Sequence, residues 1–139
     1  MPLFSLRRAL FLILPAFAAP AFAGAGTCAI DIAVVEARIT GMETGYGTIL
    51  SDISCEAPVI PAHALMCDTP ELWRMGRLDD MAFVYAYENA TGVETDREDP
   101  PRDAEFIAAR DACTDAACLC DVLTRHTNDS LGGTSPYPQ

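Results

Sequence analysis

The residues with chemistry in them are six cysteines, two histidines and twenty carboxylates. Three cysteines, Cys113, Cys118 and Cys120, crowd into one stretch, Phe106 to Cys120, FIAARDACTDAACLC. On a continuous helix Cys113 and Cys118 would lie about 7.5 Å apart in rise and about 140° apart around the axis. A disulfide needs Cα atoms within roughly 7 Å and Cβ atoms that face each other. A bond between these two therefore requires the helix to break, and Thr114 and Asp115 are residue types that cap a new one. The expectation is a helix ending near Cys113, a stapled corner, and a second helix from about Ala116. Cys120 would point about 200° away from Cys118 and must find another partner.

Other chemistries use the same residues less well. Cys113, Cys118, Cys120 and His126 would make a soft-metal site only if the thiols stayed reduced. Met66, Met75 and Met81 do not cluster as a copper-handling tract would. His63 and His126 are the only imidazole bases, and Ser51, Ser54 and Ser130 sit in no nucleophile motif. No spacing singles out a catalytic carboxylate pair. The acidic run Glu94 to Asp103, ETDREDPPRD, lacks calcium-loop spacing and a turn glycine. The expectation is no catalytic residue, no metal and no cofactor.

The start of the chain reads as a secretory signal, residues 1–23. Arg7 and Arg8 form a basic region, Ala9 to Ala19 an apolar one, and Ala21-Phe22-Ala23 a cleavage site. The apolar run is too short, and too interrupted by Pro15 and Pro20, to span a bilayer. Thr27 stands before Cys28 where a lipoprotein would carry a small residue. Six cysteines in an exported chain then read as a disulfide framework with fifteen possible connectivities. Localisation is expected to be periplasmic or secreted. Loss of Arg7 and Arg8 takes the formal charge from −11 to −13, with all nine basic residues arginine. Such acidity argues against nucleic acid and anionic membrane surfaces as partners and favours cationic ones, while on composition alone the better reading is that it keeps an exported protein soluble.

The elements that would position these residues are helical. Residues 24–54 read as an N-terminal arm. Ala29, Ile32, Val35 and Ile39 suit a short helix over Ala29–Thr40, although Ile30, Ile32 and Val34 alternate as a strand would. Gly41, Gly45 and Gly47 suggest a loose connection after it. Cys55-x11-Cys67 reads as a loop because Pro58 and Pro61 exclude a regular helix through their positions. A bridge closing it would contribute about 3 kcal/mol. Asp68-Thr69-Pro70-Glu71 is a helix start, and the helix should run to about Asn89 and stop at Gly92. Leu72, Met75, Leu78, Ala82 and Tyr85 form its stripe, with Trp73 off centre. After a solvated acidic linker, a helix from near Pro101 should bury Phe106, Ile107 and Ala109. Leu119, Val122 and Leu123 face inward on the last helix, and residues 132–139 read as a flexible tail.

Residues 55–131 resemble the small exported domain named after the lysozyme inhibitor LprI. The resemblance rests on Cys55-x11-Cys67, on Asp68-Thr69-Pro70-Glu71-Leu72 with one residue inserted, and on Leu78-Asp79. It rests further on Phe106-Ile107-Ala108-Ala109-Arg110-Asp111-Ala112-Cys113 and on Cys118-Leu119. Asp103, Leu123 and His126 replace the family's glutamine, tyrosine and arginine, and Cys28 and Cys120 lie outside its pattern. The resemblance implies an all-α, disulfide-stapled domain of about three helices, preceded here by the arm. Spacing and resemblance together favour Cys55–Cys67 and Cys113–Cys118, leaving Cys28 with Cys120. A rival joining helix ends, such as Cys67 to Cys113, stays open. The resemblance also implies a periplasmic binding protein that occludes a cationic glycan hydrolase such as lysozyme. The alternative is a non-catalytic structural or assembly module of the envelope. Candidate contact residues, chosen on exposure and charge alone, are Trp73, Glu94, Asp96, Glu98 and Asp99.

Overall fold

The computed structural model describes residues 27–139, so the expected signal segment lies outside the described residues. The described chain is all-helical, with five α-helices where about three were expected. They are α1 (Ile32–Tyr46), α2 (Pro61–Asp68), α3 (Pro70–Thr91), α4 (Ala104–Asp111) and α5 (Ala116–Leu131), followed by a 3-10 turn at Gly132–Thr134. Among the described residues no helix is long and apolar enough to cross a membrane.

α3 is the hub on which α1, α2 and α5 all pack, while α4 lies against α5 and α2. Its buried set is wider than one stripe: Leu72, Met75, Leu78, Met81, Ala82 and Val84 are all interior, and so is Asp79. A helix covered on several sides must be apolar around more of its circumference. Pro70 occupies its first position, and Gly92 stops it in the left-handed conformation at φ 70°.

Two helices depart from the expectation. α2 begins at Pro61 rather than being excluded by it. The first helical position needs no N–H and matches proline's fixed φ, and Ala62 and Met66 then face the core. α1 begins three residues later than expected because Asp31 caps it, accepting from the amides of Ala33 (3.0 Å) and Val34 (3.4 Å). It continues through Gly41 and Gly45 to stop at Gly47. Each interior glycine costs about 1 kcal/mol of propensity. Burial of Val35 and Met42 against α3 outweighs this, while Ile32 and Val34 stay exposed. α4 starts at Ala104, capped by Asp103, and the residue it buries is Arg110; Ala109 is exposed.

Three disulfides hold the helices together. Cys113–Cys118 closes the corner between α4 and α5 with Cα atoms 5.6 Å apart, where Asp115 caps α5 through the Cys118 amide. Cys55–Cys67 ties the segment before α2 to the end of that helix. Cys28–Cys120 joins positions 92 residues apart. Beside it, Glu71 accepts from the amides of Thr27 (2.6 Å) and Cys28 (3.0 Å), so the arm is fixed to both α3 and α5. The expected flexible tail instead folds back. Tyr137 is 4% exposed within the core, and the Asn128 amide donates to the Pro138 carbonyl at 2.8 Å. An aromatic ring with an apolar cleft to fill outweighs the entropy of a short chain end.

Candidate functional site

Both histidines and a few of the carboxylates are drawn into or against the interior. His126 Nδ1 lies 2.9 Å from the buried Asp79 carboxylate, and Nε2 lies 3.5 Å from Asp103. The imidazole stacks on Phe106 at 3.9 Å, nearly parallel, with Phe83 on the same system at 5.4 Å. Thr127 donates to Asp79 at 2.8 Å. Burial pushes Asp79 above the ordinary carboxylate range. It works against a charged His126, yet the two carboxylates still hold that ring's pKa above its usual value.

A second network lies alongside. Arg110, 3% exposed, grips Asp52 through both oxygens at 2.9 and 2.8 Å, and its Nε donates to Asp111. Asp111 also meets His63 Nε2 at 2.9 Å. Burial tends to raise Asp52, but the Arg110 fork and Arg102 hold it below the usual range. Asp80, paired with Arg102 at 2.9 Å, is pushed up to about 7 by burial.

This polar interior has no room for a substrate. The crevice where the networks meet holds about 10 Å³. Both nitrogens of His126 are engaged, and Ser51 and Ser54 accept backbone amides of their own loop. All six cysteines are in disulfides. Among the described residues no three His, Cys, Asp or Glu side chains converge as a metal would require. The networks act as ties: Arg110 fastens α4 to the segment before α2, and Asp79–His126 fastens α3 to α5.

The outer surface offers more. The linker after α3 is pinned by Arg97 rather than solvated throughout. Its guanidinium is bound bidentately by Glu88, and Nε donates to the Tyr46 carbonyl at 2.8 Å. Its own carbonyl accepts from the Leu50 amide at 2.9 Å. Thr95 adds an amide and a hydroxyl to Glu88 at 2.7 and 2.9 Å. The guanidinium, with these donors, draws Glu88 down to about 2. Glu94, Asp96, Glu98 and Asp99 are therefore displayed outward from a fixed ridge.

Arg97 forms part of the wall of two open grooves. One, about 380 Å³, runs along Thr48–Ser51 and brings Trp73 and Glu98 together, with Leu50 58% exposed. Trp73 is half-buried, packed against the core yet forming part of this wall. The other, about 400 Å³, holds Glu94 beside Tyr46 and Tyr85, whose rings meet edge to face at 5.2 Å. Of the five sequence candidates, Trp73 and Glu98 thus share one groove and Glu94 lines the other. Asp96 and Asp99 are exposed on the ridge but line neither. Tyr46, Tyr85, Leu50 and Arg97 were missed. The one available signal was an arginine set inside an acidic run, where it invites an ion pair. Tyr46 was hidden in a glycine-rich stretch read as a loose connection. Comparison with protein-family models, curated proteins and solved structures finds no match to this chain.

Proposed function

We propose that this chain is an exported binding protein whose acidic ridge engages a cationic protein surface. Its partner class is a lysozyme-type glycan hydrolase, and it acts by occupancy rather than turnover. The observation that carries the reading is the Arg97-pinned ridge, whose Arg97 also lines two open grooves, one holding Trp73 and the other Tyr46 and Tyr85. Four carboxylates on a wandering loop would be ordered only on binding, at an entropic cost. A ridge fixed in advance avoids much of that cost. Net negative charge raises the rate of encounter with a basic partner, an effect that weakens as salt shortens the Debye length toward about 8 Å. Specificity needs more than charge, and Trp73 and Tyr46 are side chains of the kind that anchor interfaces. The lysozyme class itself comes from the resemblance of residues 55–131, and export from the reading of residues 1–23.

The test is cell-wall lysis by lysozyme with and without the protein, at low and at physiological salt. An unrelated protein of equal charge serves as control. Inhibition that persists at physiological salt and is absent from the control is expected. Inhibition lost at physiological salt, or matched by the control, would sink the reading in favour of an assembly module. Export is checked separately by intact mass, which should begin at Gly24.

A further inference from the structure

Resting on that reading, we propose that the Tyr46–Tyr85 groove receives one basic side chain of the partner, an arginine or lysine, over the Tyr46 ring and against Glu94. The groove, about 400 Å³, has room for such a side chain. Tyr46 is 45% exposed, and its edge-to-face contact with Tyr85 fixes the orientation of its ring. A fixed, half-exposed aromatic ring can attract a cation over its face with about 0.5–2 kcal/mol, more as water is excluded.

The local charge selects the sign of the ligand. Glu88 is saturated: both its oxygens are taken by Arg97 and one also by Thr95. That pair is neutral. Glu94 is the remaining charge of the wall and leaves the groove one net negative unit. Its own side chain is exposed, so a cation would reach it without first displacing an internal partner. A cation thus meets an aromatic ring and a carboxylate together. An anion would meet a carboxylate and an arginine already committed to Glu88.

Two experiments separate this inference from the proposal beneath it. The first titrates arginine amide into the protein and follows backbone amide resonances. Shifts confined to Gly45, Tyr46, Asn89, Gly92, Val93 and Glu94 are expected, with acetate producing none there. The second measures lysozyme affinity for Tyr46→Ala, Tyr46→Phe, Glu94→Gln and, as an equal charge change elsewhere, Asp129→Asn on α5. Tyr46→Ala and Glu94→Gln should each weaken binding about 3- to 30-fold. Tyr46→Phe, which keeps the ring, and Asp129→Asn should change it less than 2-fold. Since Tyr46→Phe and Glu94→Gln leave the backbone and the ring in place, a folding defect in Tyr46→Ala alone does not decide the matter. If lysozyme binds but Glu94→Gln and Tyr46→Ala are both neutral, the groove inference is overturned and the function stands. If lysozyme does not bind while arginine amide still shifts the groove, the partner is wrong and the site stands. Absence of both effects overturns both.

Discussion

At the residue scale the buried charges set how stability should respond to pH. His126 has its pKa raised above its unfolded value near 6.5. Its contribution is present below that value and is lost as pH rises through the folded pKa. Asp80, raised to about 7 by burial, binds its proton more tightly folded than unfolded, so it costs stability as pH climbs from about 4 to 7. Glu88, lowered to about 2 by Arg97, works the other way: its contribution is present above about 4.5 and fades as pH falls toward 2. Asp52 and Asp103, both held low, add to that acid limb. Denaturant unfolding across pH 2 to 9 should therefore show a maximum in mildly acidic solution and a decline toward pH 8. Asp80→Asn keeps an acceptor for Arg102 and should flatten the slope between pH 4 and 7 by up to about 1.4 kcal/mol per pH unit. An unchanged slope would mean that Asp80 titrates normally in the fold. His126→Ala should be harsher. It strips a buried carboxylate of its cation, for which about 3–5 kcal/mol is expected in the same measurement.

At the element scale the boundaries are governed by capping. Gly92 ends α3 at φ 70°, which an alanine reaches only with strain, so Gly92→Ala should cost about 1 kcal/mol in urea unfolding. Asp115→Ala removes the acceptor for the Cys118 amide and should cost about 1 kcal/mol as well. Signals of this kind were legible in the chain. Pro70, Gly92, the break at Thr114–Asp115 and the inner face of α5 all follow from residue type and spacing. What misled was context. Pro58 and Pro61 look alike in a sequence, but only the second occupies the start of a helix. Gly41 and Gly45 read as a loose joint because nothing local shows that Met42, between them, will be buried on α3. The polar interior was illegible for a plainer reason. Asp79 and His126 are 47 residues apart, Asp52 and Arg110 are 58 apart, and only the fold brings them together. Arg97 is the intermediate case, a visible anomaly in an acidic run whose partner, Glu88, lay on another element.

At the scale of the whole molecule the longest covalent tie dominates. Cys28–Cys120 encloses most of the described chain, and removing it by Cys28→Ser with Cys120→Ser should cost about 4–5 kcal/mol on the chain-entropy estimate. Thermal unfolding without reductant reads this directly, and a loss below about 1 kcal/mol would contradict it. The same bridge has a mechanical meaning. A molecule pulled between Thr27 and Gln139 transmits force through the Cys28–Cys120 bond, bypassing the helices between them. Only the 19 residues beyond Cys120 are then free to pay out, roughly 65 Å of extended chain. Four of the five helices, with the acidic ridge among them, lie inside the sheltered loop, and only α5 extends beyond it. Tension on such a protein would shear away the tail and unwind the end of α5 while the ridge and both grooves bore none of it.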